Sequence, residues 1–247
     1  MSYNALYTDL SGYYDLMCAD IDYQSQSSSA YRLHQIFGNG GTQHLDLACG
    51  TGPHINYLIQ QGFTCEGLDI NQPMLEIAKQ RCPEGNFALG NMCEFSVDQP
   101  FDLITCFLYS VHYSGDIQNL KGCLLSVYEA LNEGGVFYFN MVDKNQIDNT
   151  LFAKHSVQQK NDLFHFSSAW HYIGHGEKQT LNVRIDKTTN NQTSTWQDEH
   201  PMVAIHFDEL QALLTPYFDV HIFEHNYDSI APWNKKSGNA IFVCVKR

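Results

Sequence analysis

The feature that most constrains this chain is the run His44-Leu45-Asp46-Leu47-Ala48-Cys49-Gly50-Thr51-Gly52. It reads as a buried strand that turns sharply at a glycine pair, with Pro53 placed at the first turn of a helix, where a missing N–H does no harm. The glycines let the backbone bend out of the strand and pass close to a ligand. Such a turn lies at the carboxyl end of its strand, where ligands bind in open α/β sheets.

Regular alternation follows. Ile55, Leu58 and Ile59 have helical spacing, closed by Gly62. A second strand is expected over 63–70, then a helix capped by Asn71 that buries Met74, Ile77 and Ala78. Short strands follow at 87–89 and 101–107. A helix over 116–131 is stopped by Gly134-Gly135, and a fifth strand runs over 136–142. This pattern predicts a mostly parallel sheet with helices on both faces. The pattern then changes. Phe164, Phe166, Trp170 and Tyr172, then Leu181, Val183 and Ile185, then Thr193, Thr195 and Trp196, alternate in twos between turns at 174–176 and 189–191. That predicts an antiparallel meander of three or more strands. A helix over 207–214 and strands over 218–225 and 240–246 close the chain. The expected organisation is a tyrosine-rich helical cap at 1–41, a main domain at 42–142 and 206–247, and a β insert at 143–205 serving as lid, substrate wall or dimer surface.

Asp46 stands four residues before Gly50, and the third glycine of the dinucleotide fingerprint G-x-G-x-x-G is missing, because Pro53 and His54 follow Gly52. Asp69 ends the second strand, where a carboxylate accepts from both hydroxyls of a ribose. With Gly67-Leu68-Asp69-Ile70, Met74, Gly90-Asn91-Met92 and residues 101–107, the set resembles the ordered motifs of class I (Rossmann-like) S-adenosylmethionine-dependent methyltransferases over residues 40–142. The resemblance implies a seven-stranded sheet and S-adenosyl-L-methionine as cofactor. It sets Asp46, Ala48, Cys49, Gly50 and Gly52 against the methionine part, Asp69, Ile70 and Met74 around the ribose, and Asn91 and Met92 at the adenine. Cys106, Phe107 and Leu108 fall beneath the sulfonium. Asn91 departs from the usual aspartate, but its amide oxygen still accepts from an amino group.

Outside these motifs the layout is similar to small-molecule methyltransferases, the N-methyltransferases of nucleotide-linked amino sugars in particular. That likeness sets Tyr14 and Tyr23 over cofactor and substrate, and Tyr113, with His112 beside it, in the reaction chamber. Tyr14, His112 and Tyr113 are the expected catalytic groups. The competing reading makes the tyrosines cap packing and His112 a satisfied turn histidine. Asn239 stands where that group has an arginine that helps bind phosphates, with Lys235 and Lys236 near.

The formal net charge of −13 repels phosphate backbones and anionic membranes. No apolar run is long enough to span a bilayer, and the N-terminus has no signal-peptide pattern. The eight cysteines form no C-x-x-C pair and read as buried thiols of a reducing cytoplasm. His165, His171 and His175 share a face of the insert, yet no acid or cysteine completes a metal set, so no metal is expected. The expectation is a cytoplasmic enzyme moving a methyl group to N or O of a small soluble molecule, with a homodimer allowed. The alternatives are a nucleic-acid or protein methyltransferase, transfer of a different group, and a non-catalytic binder of the cofactor.

Overall fold

The structure is a computed structural model that describes residues 5–7 and 10–247. Single 3-10 turns at Ala5–Tyr7 and Ser11–Tyr13 lead into a one-turn helix, α1 (Tyr14–Met17), and then α2 (Tyr23–Phe37). Asp22 caps α2 by accepting from the Ser25 N–H at 2.9 Å. The chain alternates next through β1 (Gln43–Leu47), α3 (Pro53–Gln60), β2 (Thr64–Asp69), α4 (Gln72–Arg81), β3 (Asn86–Leu89), β4 (Phe101–Cys106), α5 (Ile117–Ala130) and β5 (Leu131–Val142). The insert contributes β6 (Ala153–Gln159), β7 (Asp162–Tyr172), β8 (Lys178–Thr189) and β9 (Gln192–Val203). The chain returns through α6 (Phe207–Leu214), β10 (Phe218–Glu224) and β11 (Asn239–Lys246).

The main sheet has seven strands in the order β10-β11-β5-β4-β1-β2-β3. Only β11 runs against its neighbours β5 and β10; the other pairs are parallel. Alternate side chains go to opposite faces. On one face Leu45, Leu47, Ile104, Phe137, Phe139 and Phe242 pack under α5 and α6. On the other Leu103, Val136, Tyr138, Ile241 and Val243 pack under α2, α3 and α4. The chain leaves β1 toward β2 and β3 and returns to β4 on the opposite side, so a crevice opens at the carboxyl ends of β1 and β4.

Two expectations are corrected. α5 ends at Ala130, and Gly134-Gly135 lies inside β5 rather than stopping the helix. Gly134 takes φ +70°, and the pairing with β4 shifts register between Phe101 and Leu103. A Cβ on Gly135 would meet the Asn132 carbonyl oxygen at 2.8 Å, so the glycines serve an irregular start to a strand. The cap is also less helical than predicted before Tyr23, because its apolar residues serve another surface. Leu6 and Leu10 sit on the inner face of the insert sheet with Phe164, Phe166, Val183 and Ile185. The insert sheet has the order β6-β7-β8-β9. Its β8–β9 turn places Asn190 and Asn191 at φ +50° and +64°, as a two-residue hairpin with two left-handed positions requires.

Asp102 ties the amino end of the sheet together. It accepts from the Gln43 N–H (3.0 Å) and from the side-chain amides of Asn39 (2.9 Å) and Asn132 (2.8 Å). Burial works against its charge, but these donors outweigh it and hold the carboxyl below its ordinary range. Asp102→Ala is expected to lower stability by about 1–3 kcal/mol, since it removes the acceptor that three donors share. Urea unfolding measures this, and an unchanged midpoint would contradict the role.

Candidate active site

The backbone after β1 enters the left-handed region three times within five residues, at Ala48 (φ +53°), Gly50 (+54°) and Gly52 (+79°). For Ala48 that conformation costs about 1–2 kcal/mol. Such strain is held where surrounding contacts fix it, and here they do. The Cys49 N–H donates to the Leu68 carbonyl (3.1 Å), and the Gly50 N–H donates to Asp69 Oδ2 (2.9 Å). A Cβ on Gly50 would project toward Met74 Cε at 3.5 Å and Tyr14 Cε1 at 3.9 Å, so the loop leaves open a space that a side chain would fill.

That space is a cleft of about 210 Å³ over the carboxyl ends of β1 and β2. Its walls include Tyr14, Ala48, Gly50, Asp69, Ile70, Met74, Asn91, Met92 and Tyr113, all singled out from sequence, together with Tyr7, Asn71, Gly90 and Ser110. Asp69 is 7% exposed. Besides Gly50, it accepts from the Asn71 N–H (2.8 Å) and side-chain amide (3.2 Å). Asn71 thus braces Asp69 and does not cap α4 with its side chain. Burial pushes the Asp69 carboxyl up and the N–H donors pull it back.

Other predicted residues stand behind the cleft. Asp46 is 1% exposed and accepts from the Thr105 hydroxyl at 2.7 Å; Thr105 in turn sits 2.8 Å from His44 Nε2. Cys49 fills the space over Gly67, Gly52 packs on Ala78, Cys106 is core, and Phe107 stacks on His54 at 3.7 Å. These residues shape the loop and do not line its cavity. Leu108 lines a neighbouring chamber instead.

Two placements correct the sequence reading. Tyr23 lies outside the cleft, edge-on to His54, its hydroxyl buried. His112 is fully buried and lines neither cavity. Its Nδ1 lies 2.8 Å from the Val203 carbonyl, and its Nε2 accepts from the Val142 N–H at 3.0 Å. The ring therefore pins the ends of β5 and β9 together. Burial lowers its basicity to a pKa of about 4. His112→Ala is expected to cost about 1–3 kcal/mol of stability while leaving cofactor affinity unchanged. Thermal melts and calorimetry read the two effects; weakened binding in folded protein would refute the assignment.

The neighbouring chamber, about 330 Å³, lies between the cap, the turn after β4 and the insert. It shares Tyr7, Tyr14, Ser110 and Tyr113 with the cleft. Leu108 and Tyr109 open this turn with φ of +53° and +62°. The hydroxyls of Tyr7 and Tyr113 are 2.6 Å apart, and Tyr113 lies 2.6 Å from His200 Nδ1 on β9. His200 Nε2 is buried, has no hydrogen-bond partner among the described residues, and faces Asp198 at 3.9 Å. Tyr7 and His200 carried no sequence signal, because neither belongs to a motif or to an apolar period. The cap is fastened to the loop by Asp15, which accepts from the Thr51 hydroxyl (2.7 Å) and pairs with Arg81.

Residues 45–135 match the family model described as Methyltransferase domain. The dTDP-4-amino-2,3,4,6-tetradeoxy-D-glucose N,N-dimethyltransferase of Saccharopolyspora spinosa is 34% identical over 37% of this chain and 37% of its own length. The chain spans under two fifths of the first curated relatives it matches. In fold the likeness extends further. DesVI of Streptomyces venezuelae superposes with a TM-score of 0.83 at 22% identity, covering 97% of this chain and 99% of that one. CalS10 of Micromonospora echinaspora, an amino pentose methyltransferase whose structure has S-adenosylmethionine bound, gives 0.77 at 18% identity over 93% of each chain. The matched residues 45–135 hold the whole glycine loop and Asp69. The residues present fit S-adenosylmethionine: a carboxylate for ribose hydroxyls, an apolar shelf at Ile70, Met74 and Met92 for a base, and a loop free of side chains at Gly50.

Proposed function

We propose that this chain is an S-adenosylmethionine-dependent methyltransferase that modifies N or O of a small soluble molecule. One observation carries the reading: the cofactor cleft adjoins a second chamber at a shared collar of Tyr7, Tyr14, Ser110 and Tyr113. A chamber of this size takes a small ring or chain. The relatives named above as acting on amino sugars favour an amine as acceptor.

When bound, the cofactor supplies a methyl group on a sulfonium whose leaving group is neutral. Asp69, Met74 and Asn91 hold the nucleoside, and Gly50 leaves room for the methionine part. Tyr14 closes the collar and orients the acceptor, and the cap and insert exclude water. Tyr113 is the hydroxyl placed to take up a proton from the acceptor. A lone pair on His200 Nε2 would face the Asp198 carboxylate, so the favoured tautomer puts the proton there and leaves Nδ1 to accept from Tyr113. Burial keeps His200 neutral and both tyrosines protonated. A proton leaving the acceptor then has a path through Tyr7 and Tyr113 to His200 Nδ1. Residues 143–205 act in this reading as the lid and the acceptor wall.

Calorimetry with S-adenosylmethionine and S-adenosylhomocysteine, followed by transfer of labelled methyl to a panel of amines, phenols and amino sugars, tests the proposal. Binding in the micromolar range with turnover supports it. Binding without turnover on any acceptor would favour a non-catalytic cofactor binder, and no binding in folded protein would sink both.

A further inference from the structure

The acceptor side continues past the chamber. Tyr109 and Trp170, edge to face at 5.8 Å, separate it from a groove of about 260 Å³ lined also by Gln146, Asp148 and Asn239. Cleft and chamber share Tyr7, Tyr14, Ser110 and Tyr113, and chamber and groove share Tyr109 and Trp170, so the three make one row of cavities. Among the described residues no Lys or Arg lines any part of it, and residues 1–4, 8 and 9 include none. Lys235 and Lys236 are exposed on the loop before β11 and line none of the three cavities, and other nearby cations are engaged elsewhere. Lys144 pairs with Glu209 at 2.7 Å, Lys154 sits over the Phe152 ring, and Arg81 pairs with Asp15.

Carboxylates do line the acceptor side, Asp20 in the chamber and Asp148 in the groove. Six aromatic rings wall the acceptor path: Tyr7, Tyr14, Tyr109, Tyr113, Phe166 and Trp170. The Asn239 side-chain oxygen beside the groove is buried without a donor among the described residues.

These features favour one kind of ligand. A diphosphate here would meet carboxylates in place of cations. The chain's net charge of −13 adds to the repulsion. An ammonium finds ring faces, and acids besides. Methyl transfer to an amine creates such a cation in the chamber.

We infer that the acceptor is an unphosphorylated amine carried on a ring or short chain, and that the nucleotide diphosphate named for the curated relatives has no seat here. The inference rests on the methyltransferase reading and narrows its substrate.

The test uses the full chain saturated with S-adenosylmethionine and two probes, 3-amino-3,6-dideoxyglucose and its dTDP-linked form. The free amino sugar is expected to be methylated with a kcat/KM about 10-fold or more above that of the nucleotide-linked form. dTDP alone, titrated into the complex with S-adenosylhomocysteine, is expected to give no binding heat at millimolar concentration. Asn239→Arg, which sets a cation at the groove, is expected to create dTDP binding in folded protein. Preference for the nucleotide-linked sugar, dTDP binding by the unaltered chain, or no methylation of the free amine would each overturn the inference. Calorimetry with S-adenosylhomocysteine alone separates this from failure of the broader reading. Cofactor bound with the wrong acceptor preference defeats only the inference; no cofactor bound defeats both.

Discussion

Asp69→Ala is expected to weaken S-adenosylmethionine binding by about 100-fold or more. A carboxylate that is 7% exposed and braced by two backbone N–H groups keeps free lone pairs toward the cleft. Two hydrogen bonds from ribose hydroxyls to a charged acceptor are worth roughly 1.5–3 kcal/mol each. Their joint loss is therefore about 3–6 kcal/mol, or two to four decades in Kd. The variant also frees the Gly50 N–H, which loosens the loop the cofactor rests on. Asp69→Asn keeps the shape and one acceptor oxygen, so a smaller loss of about 10-fold is expected. Calorimetry on both variants, with melting curves to show that they fold, makes the comparison. Equal, undiminished affinity in the alanine variant would remove Asp69 from the site.

The second large effect concerns acidity. Asp46 is buried beside Asp69, and burial pushes its carboxyl up to about 7, with Thr105 pulling slightly the other way. Between its ordinary value near 3.8 and about 7, the folded chain holds a proton there that the unfolded chain has released. Stability therefore falls as pH rises through this window, and no further above it. Three pKa units correspond to about 4 kcal/mol. Asp46→Asn keeps an acceptor for the Thr105 hydroxyl and removes the titration. The gap in unfolding free energy between the variant and the unaltered chain is expected to grow in the variant's favour from pH 4 to pH 7. Urea titrations at several pH values measure it. A constant gap would mean that Asp46 ionises as freely folded as unfolded.

The cleft half of the molecule was legible because its geometry is local. The glycine turn, Asp69 and Asn91 line the cleft within a few residues of their own strands, so spacing along the chain reports spacing in the cleft. The acceptor half joins Tyr7, Tyr113 and His200, 193 positions apart at the extremes. No periodicity encodes such a meeting; it depends on the cap lying across the insert sheet. His112 misled for a related reason. A polar residue beside a motif reads as exposed chemistry, while its real partners, Val142 and Val203, come from two other segments. The strand β6 carried no apolar alternation because it is a polar edge, and Gly134-Gly135 gave a stop signal that in this chain belongs to a strand.

The position of β11 bears on how the protein is made. It is the last strand along the chain, yet it lies inside the sheet between β5 and β10. Until residues 239–246 leave the ribosome, the outer edge of β5 has no partner, and the apolar run from Val136 to Val142 offers open backbone hydrogen bonds. At ordinary rates of synthesis the interval between β5 and β11 is roughly ten seconds. A nascent chain stalled in that interval exposes a sticky strand in a crowded cell, so its yield should depend on chaperone supply more than the stability of the finished fold would suggest.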